Sequence, residues 1–184
     1  MPLTSEERDF AAKHLAESRE RFFQTVCGLT AEQLNYKPAP DRWSVGENLE
    51  HVILVERRGS GFVDVSIKQP VDPRRSSGYP GSHESLVVMA RDRSHPRRGP
   101  EAVQPKGGKP LDQLLREYDA ARKFTRGLLA TDVDLRAYFA PHPVFGELDC
   151  YQWILILAAH SDRHRSQAEE VMASPGFPRA AAAN

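Results

Sequence analysis

An all-α fold, a single four-helix bundle with one long crossover between its second and third helices, is what this sequence predicts. Four stretches of roughly twenty residues repeat apolar side chains at three- and four-residue steps, the spacing that lines one face of a helix. Most of these stretches open on Ser, Thr or Asp followed three residues later by Glu or Gln, the pattern of a capping box. Between the second and third lies 69–110, whose seven prolines and five glycines rule out a bundle helix. A chain of 184 residues suits one domain, expected over 1–173 with 174–184 as a flexible C-terminal tail.

The first helix is expected from Ser5 to Gly28, opened by Thr4-x-x-Glu7, with Phe10, Ala11, Leu15, Ser18, Phe22, Val26 and Leu29 on its inner stripe. Thr30-x-x-Gln33 starts a short helical turn, and Pro38-Ala39-Pro40-Asp41 forces an extended connection. Ser44-x-x-Glu47 opens the second helix, expected to reach Lys68, with Trp43 placed to pack on its first turn. Val45, Leu49, Val52 and Ile53 form its core face, and Glu47, His51 and Val55 share an adjoining stripe. Gly59 and Gly61 weaken its middle and mark a kink or a close helix contact.

Within the crossover, Ser82–Arg93 reads as a short amphipathic helix resting Leu86, Val87 and Met89 on the bundle. His83 and His95 are placed on loop surface, and the basic run Arg91–Lys109 reads as a solvated loop or as a surface for an anionic substrate or partner. Asp112 is expected to cap the third helix, which keeps helical spacing from Leu111 to Ala130. Thr131–Tyr138 forms another short turn, and Pro141-His142-Pro143 breaks the chain, leaving His142 in a loop. Asp149-x-x-Gln152 opens the fourth helix.

That last helix carries the chemistry. Trp153, Leu157, His160, His164, Gln167 and Val171 fall on one side of it, so two imidazoles leave the same face one turn apart. They supply two ligands for one ion, and because protein-held zinc, nickel or iron usually takes three or four, another helix must contribute. His51 is the candidate, although on spacing alone a lone histidine of this kind is more often a structural residue. Glu47 completes a capping box and, one turn before His51, is also placed to orient an imidazole or an exchangeable ligand. Gln167, one turn after His164, is placed either for helix packing or for the same kind of contact. His14 has no partner at helical spacing and reads as a boundary residue, and Asp162 points away from His160.

Composition narrows the function classes. Lys plus Arg equals Asp plus Glu at 25 each, so no overall field draws the protein to nucleic acid or to an anionic membrane. Acidic residues near Met1 and the lack of a long apolar run predict a cytoplasmic protein without a signal peptide or membrane span. Cys27 and Cys150 fit no metal or disulfide pattern and are expected to be reduced and buried.

With Trp43-Ser44-x-x-Glu47-x-x-x-His51 on the second helix, and HPVFGELDCYQW leading into His160-x-x-x-His164-x-x-Gln167 on the fourth, the chain resembles the DinB/YfiT-like superfamily over nearly the whole domain. The resemblance implies a four-helix bundle in which His51, His160 and His164 bind a divalent metal, commonly zinc or nickel, with water in the open positions. It implies a metal-dependent enzyme acting on a small-molecule substrate, either a hydrolase or an S-transferase using a low-molecular-weight thiol such as bacillithiol, in a family that also includes a mycothiol-dependent maleylpyruvate isomerase. A non-catalytic metal-binding bundle or a dimeric interaction module, active as a homodimer, is the alternative. The 69–110 insertion departs from shorter family members and is placed to cover or shape the pocket.

Overall fold

Helix starts follow their caps. In the computed structural model, which describes residues 2–94 and 99–179, α1 (Ser5–Val26) begins where the Thr4 hydroxyl accepts the Glu7 amide and the Glu7 carboxylate accepts the Thr4 amide. The same reciprocal pair opens α2 (Ala31–Asn35) at Thr30 and Gln33, α3 (Val45–Ser66) at Ser44 and Glu47, and α6 (Cys150–Met172) at Asp149 and Gln152. In the crossover, Ser82 caps α4 (His83–Arg91) by accepting the Ser85 amide.

The third bundle helix, α5 (Leu111–Leu129), starts differently from expectation. Pro110 is its N-cap and makes no side-chain cap bond, while Asp112 sits in the first turn and pairs with Arg116 at 2.7 Å. There its carboxylate faces the positive end of the helix without serving as the cap.

The α6 helix lies between α1 and α3, and α5 lies against α1 and α3 on the far side. Helix α4 covers what would otherwise be an open face of α6. This explains why Cys150–Ala159 is buried on every side, a run no ordinary amphipathic helix would carry. Leu86, Val87 and Ala90 share that buried cluster, whereas Met89, expected to point inward, is 49% exposed. At 100° per residue Met89 lies about 100° from the middle of the face that those three define. The α3–α6 contact is tightest at Gly59, where a Cβ would meet Leu157 Cδ2 at 2.8 Å and Trp153 Cζ3 at 3.0 Å. Of the two expectations there, a kink or a close contact, the structure has the close contact, within one continuous helix.

Two apolar clusters fill the ends of the bundle. Between them each helix contributes a buried polar residue. Arg122 Nε lies 2.9 Å from Glu56 Oε1, and its other nitrogens donate to the Leu15 carbonyl, Ser18 Oγ and Tyr118 Oη. Thr125 Oγ1 donates to Glu56 Oε1, and Tyr118 Oη lies 2.5 Å from Ser161 Oγ. Burial pushes the Glu56 carboxyl up, opposed by the Arg122 guanidinium and the Thr125 hydroxyl.

Pro141-His142-Pro143, expected as a plain break, belongs to an antiparallel hairpin of β1 (Phe139–His142) and β2 (Gly146–Asp149), with Phe139 opposite Asp149 and His142 opposite Gly146. A two-stranded ribbon tolerates proline because half of its amides face no partner strand. The Trp153 indole donates to the Ala140 carbonyl at 3.0 Å, and the Gly78 amide donates to the Glu147 carbonyl at 2.7 Å, tying hairpin to α6 and crossover to hairpin.

At the other end, residues 174–179 of the expected tail lie against the bundle. Phe177 meets Tyr36 edge-on at 5.7 Å, and Gln33 Nε2 donates to the Pro178 carbonyl. The rest of that tail, 180–184, and His95 lie outside the described residues. Among the described residues no helix is long and apolar enough to cross a membrane.

Candidate metal centre

Three side chains from two helices converge beside the middle of the bundle. His51 projects from the second turn of α3, and His160 and His164 project from successive turns of α6. Their ring centroids lie 5.1 Å (His51–His160), 4.5 Å (His51–His164) and 4.4 Å (His160–His164) apart. One ring nitrogen from each falls within 4.8 Å of the others. With nitrogen ligands at about 2.0–2.1 Å from a zinc-like ion, this spread admits one ion after a small closure.

Which nitrogen His51 and His164 offer is set by what the opposite nitrogen does. His51 Nδ1–H donates to the Val103 carbonyl at 2.7 Å, leaving Nε2 with its lone pair. His164 Nδ1 lies 3.2 Å from Asn48 Oδ1, and the Asn48 amide is oriented because its Nδ2 donates to the Ser44 carbonyl at 2.9 Å. His164 therefore also carries its proton on Nδ1 and presents Nε2.

Burial holds all three imidazoles neutral. Desolvation lowers His51, and it drives His160 and His164 well below the ordinary histidine value. The neighbouring histidines add to the shift for His160 and His164, as do Arg163 for both rings and Arg93 for His164. Arg163 Nη1 donates to the Asp92 carbonyl and Arg93 Nη2 to Glu170 Oε2, which holds both cations on this side of α6. Neutral imidazoles are the form that ligates a metal, and two of the three have their tautomers fixed, so the donor set fits a divalent ion.

Trp43 forms a wall, its ring 4.6 Å from His51 and 5.8 Å from His164. The Gln167 Oε1 atom is buried and has no hydrogen-bond partner among the described residues. Glu47 is drawn to the helix start, where Oε2 accepts the Ser44 amide at 2.7 Å and Oε1 accepts from Lys37 Nζ at 3.0 Å. Of the predicted residues, His51, His160 and His164 come together, and Glu47 sits in its cap.

The remaining candidates lie elsewhere. His14 joins Glu17, Arg21, Arg91, Asp162, Arg165 and Ser166 around a separate cavity of about 370 Å³. Asp162 is held there by Arg21 and Arg91, at 2.9 and 2.7 Å. His83, expected on loop surface, is the first residue of α4 and stacks edge-on against Tyr151 at 4.8 Å. His142, expected in a loop, lies in β1, where its Nδ1 accepts the Val144 and Phe145 amides. Cys150 is buried as expected. Cys27 is exposed, because it caps α1 one residue beyond the buried Val26.

The chain is 29% identical over 162 residues to the uncharacterized protein YuaE of Bacillus subtilis (strain 168), covering 84% of this chain and 93% of that protein. Its fold is similar to that in the crystal structure of TT2238, a four-helix bundle protein, with a TM-score of 0.55 at 20% identity over 91% of this chain and 99% of that one. The sequence profile of the DinB superfamily matches residues 14–168, a range that includes His51, His160 and His164, and the chain belongs to the DinB superfamily.

Proposed function

We propose that this chain is a cytoplasmic, divalent-metal-dependent enzyme acting on a small molecule, either by hydrolysis or by transferring a low-molecular-weight thiol. His51, His160 and His164 are its ligands, and zinc or nickel is the ion their chemistry suits best. The observation that carries this reading is the convergence of three neutral imidazoles, with no fourth His, Cys, Asp or Glu joining the group among the described residues. A structural site is usually closed by four protein ligands, whereas three leave room for an exchangeable one.

When bound, the ion supplies Lewis acidity toward an oxygen or sulfur donor. The chain's own residues do the rest. Val103 and Asn48 fix the two outer rings, Trp43 excludes water from one side, and Arg93 and Arg163 bias the site toward anionic groups. Gln167 Oε1, buried and without a partner among the described residues, accepts a hydrogen bond from a substrate or solvent donor. Glu47 contributes from the cap by fixing the start of α3 one turn before His51.

Elemental analysis of the purified protein, compared with His51→Ala, His160→Ala and His164→Ala, tests the site. Near-stoichiometric divalent metal in the wild type and sharp loss in each helical variant are expected. Full occupancy in any variant removes that residue from the ligand set. Turnover of esters, amides and electrophiles with and without added thiols then separates the branches, and ester hydrolysis without thiol counts against the transferase.

A further inference from the structure

The crossover hydrogen-bonds to the histidine cluster through the Val103 carbonyl, and that atom needs something to hold it in place. The local turn is shaped by Val103 N donating to the Pro100 carbonyl and Gln104 Nε2 donating to the Gly99 carbonyl. Those bonds give the turn its form without attaching it to the bundle. Attachment comes from Glu50, the residue preceding His51 on α3. Its Oε2 accepts the Lys106 amide at 2.9 Å and the Gly107 amide at 2.8 Å, and Lys109 Nζ lies 3.4 Å from its Oε1. Lys109 is in turn paired with Glu117 of α5 at 3.0 Å.

Glu50 is only 3% exposed, so its carboxylate is committed to this segment. Consecutive residues of one helix thus grip the same strap, Glu50 by its backbone amides at 106–107 and His51 by its carbonyl at 103. The strap can lie flat because Gly107 (φ +72°) and Gly108 (φ +77°) take the left-handed conformation that side chains resist.

We propose that Glu50 is a positioning residue of the metal centre. By pinning Lys106 and Gly107 it keeps the Val103 carbonyl on His51 Nδ1, and so keeps His51 Nε2 aimed at the ion. This inference rests on the metal-site reading above. It makes the long insertion a working part of the centre, since it supplies the group that sets the tautomer of one ligand.

The test uses the whole chain with Glu50→Ala, Glu50→Gln and Gly107→Ala. In metal-free protein, histidine ¹⁵N shifts report the tautomer of each ring. The Glu50→Ala variant should lose the Nδ1-protonated signature of His51 while His164 keeps its own. Its affinity for Zn²⁺, measured by chelator competition, should fall about 10- to 100-fold, the usual effect of losing a group that orients a ligand. The Glu50→Gln variant keeps an acceptor oxygen and should recover most of both. Gly107→Ala strains the strap without altering α3 and should reproduce the His51-specific change, which keeps the test decisive if Glu50→Ala folds poorly. A wild-type His51 signal or wild-type affinity in folded Glu50→Ala, or in Gly107→Ala when it stands in, overturns the role of Glu50. Wild-type protein that takes up no divalent ion overturns the metal reading instead, while the metal-free shifts still decide whether Glu50 orients His51.

Discussion

Asn48 Oδ1 sits 3.2 Å from His164 Nδ1, one turn before His51 on the helix that faces it. Its carboxamide cannot flip without breaking the 2.9 Å bond from Nδ2 to the Ser44 carbonyl, so the cap of α3 is linked to the tautomer of a ligand on α6. Asn48→Ala should weaken Zn²⁺ binding about 10- to 100-fold in chelator competition, with far-UV circular dichroism unchanged. Unaltered affinity would mean that His164 needs no orienting partner.

Two glycines of α3 should respond to alanine with opposite signs. At Gly59 the new Cβ would press on Leu157 and Trp153, and relieving such overpacking costs about 1–3 kcal/mol. At Gly61 an added Cβ would meet nothing within 4 Å outside its own helix among the described residues, and the better helix propensity of alanine should stabilise by about 0.5–1 kcal/mol. Urea denaturation of the two variants measures both, and equal shifts would contradict the close helix contact at Gly59.

The Glu56–Arg122 pair is buried between the apolar clusters, with side chains 1% and 5% exposed. Removing one partner leaves the other charge in a dry environment, so Arg122→Ala or Glu56→Ala should destabilise by about 3–5 kcal/mol. Replacing both by apolar residues of similar volume should cost much less than the two single changes added together. A double-mutant cycle that comes out additive would show the charges to be solvated.

Asp149 provides a pH test. Burial pushes its carboxyl up from 3.8 to about 6, against the Gln152 amide and His83, which favour the charged form. Between those two values the native state keeps a proton that the unfolded chain has released, so this group's contribution to stability falls as pH rises from about 4 to about 6. The Asp149→Asn variant keeps a capping oxygen but does not titrate. The stability difference between variant and wild type should move toward the variant across that window, by at most about 3 kcal/mol. A constant difference would mean that Asp149 titrates normally.

What the sequence made legible was local. Capping boxes and apolar spacing need only near neighbours along the chain, so the starts of α1, α2, α3 and α6 were readable, as was the pairing of His160 with His164 on one face. His51 could be singled out, but its meeting with the other two depends on how α3 packs on α6. Trp43 beside the imidazoles and Asn48 on His164 depend on that same contact. The Val103 carbonyl left no trace in the sequence, because every residue carries one. Arg122 and Glu56 were not singled out, although Tyr118 and Thr125 flank Arg122 at helical spacing and make a small polar stripe. The hairpin strands are four residues long, too short for alternation to register.

The position of α6 within the bundle also constrains how the protein is made. Its Cys150–Ala159 run is covered by α1, α3 and α4, all of which leave the ribosome earlier. Until that stretch emerges, α1 and α3 can both pack on α5, but the faces of α1, α3 and α4 that pack on α6, with Leu15, Val63 and Leu86, lack the surface that buries them. Assembly therefore waits for the helix that carries two of the three imidazoles, and a chain stalled before residue 150 would hold His51 with nothing to meet it.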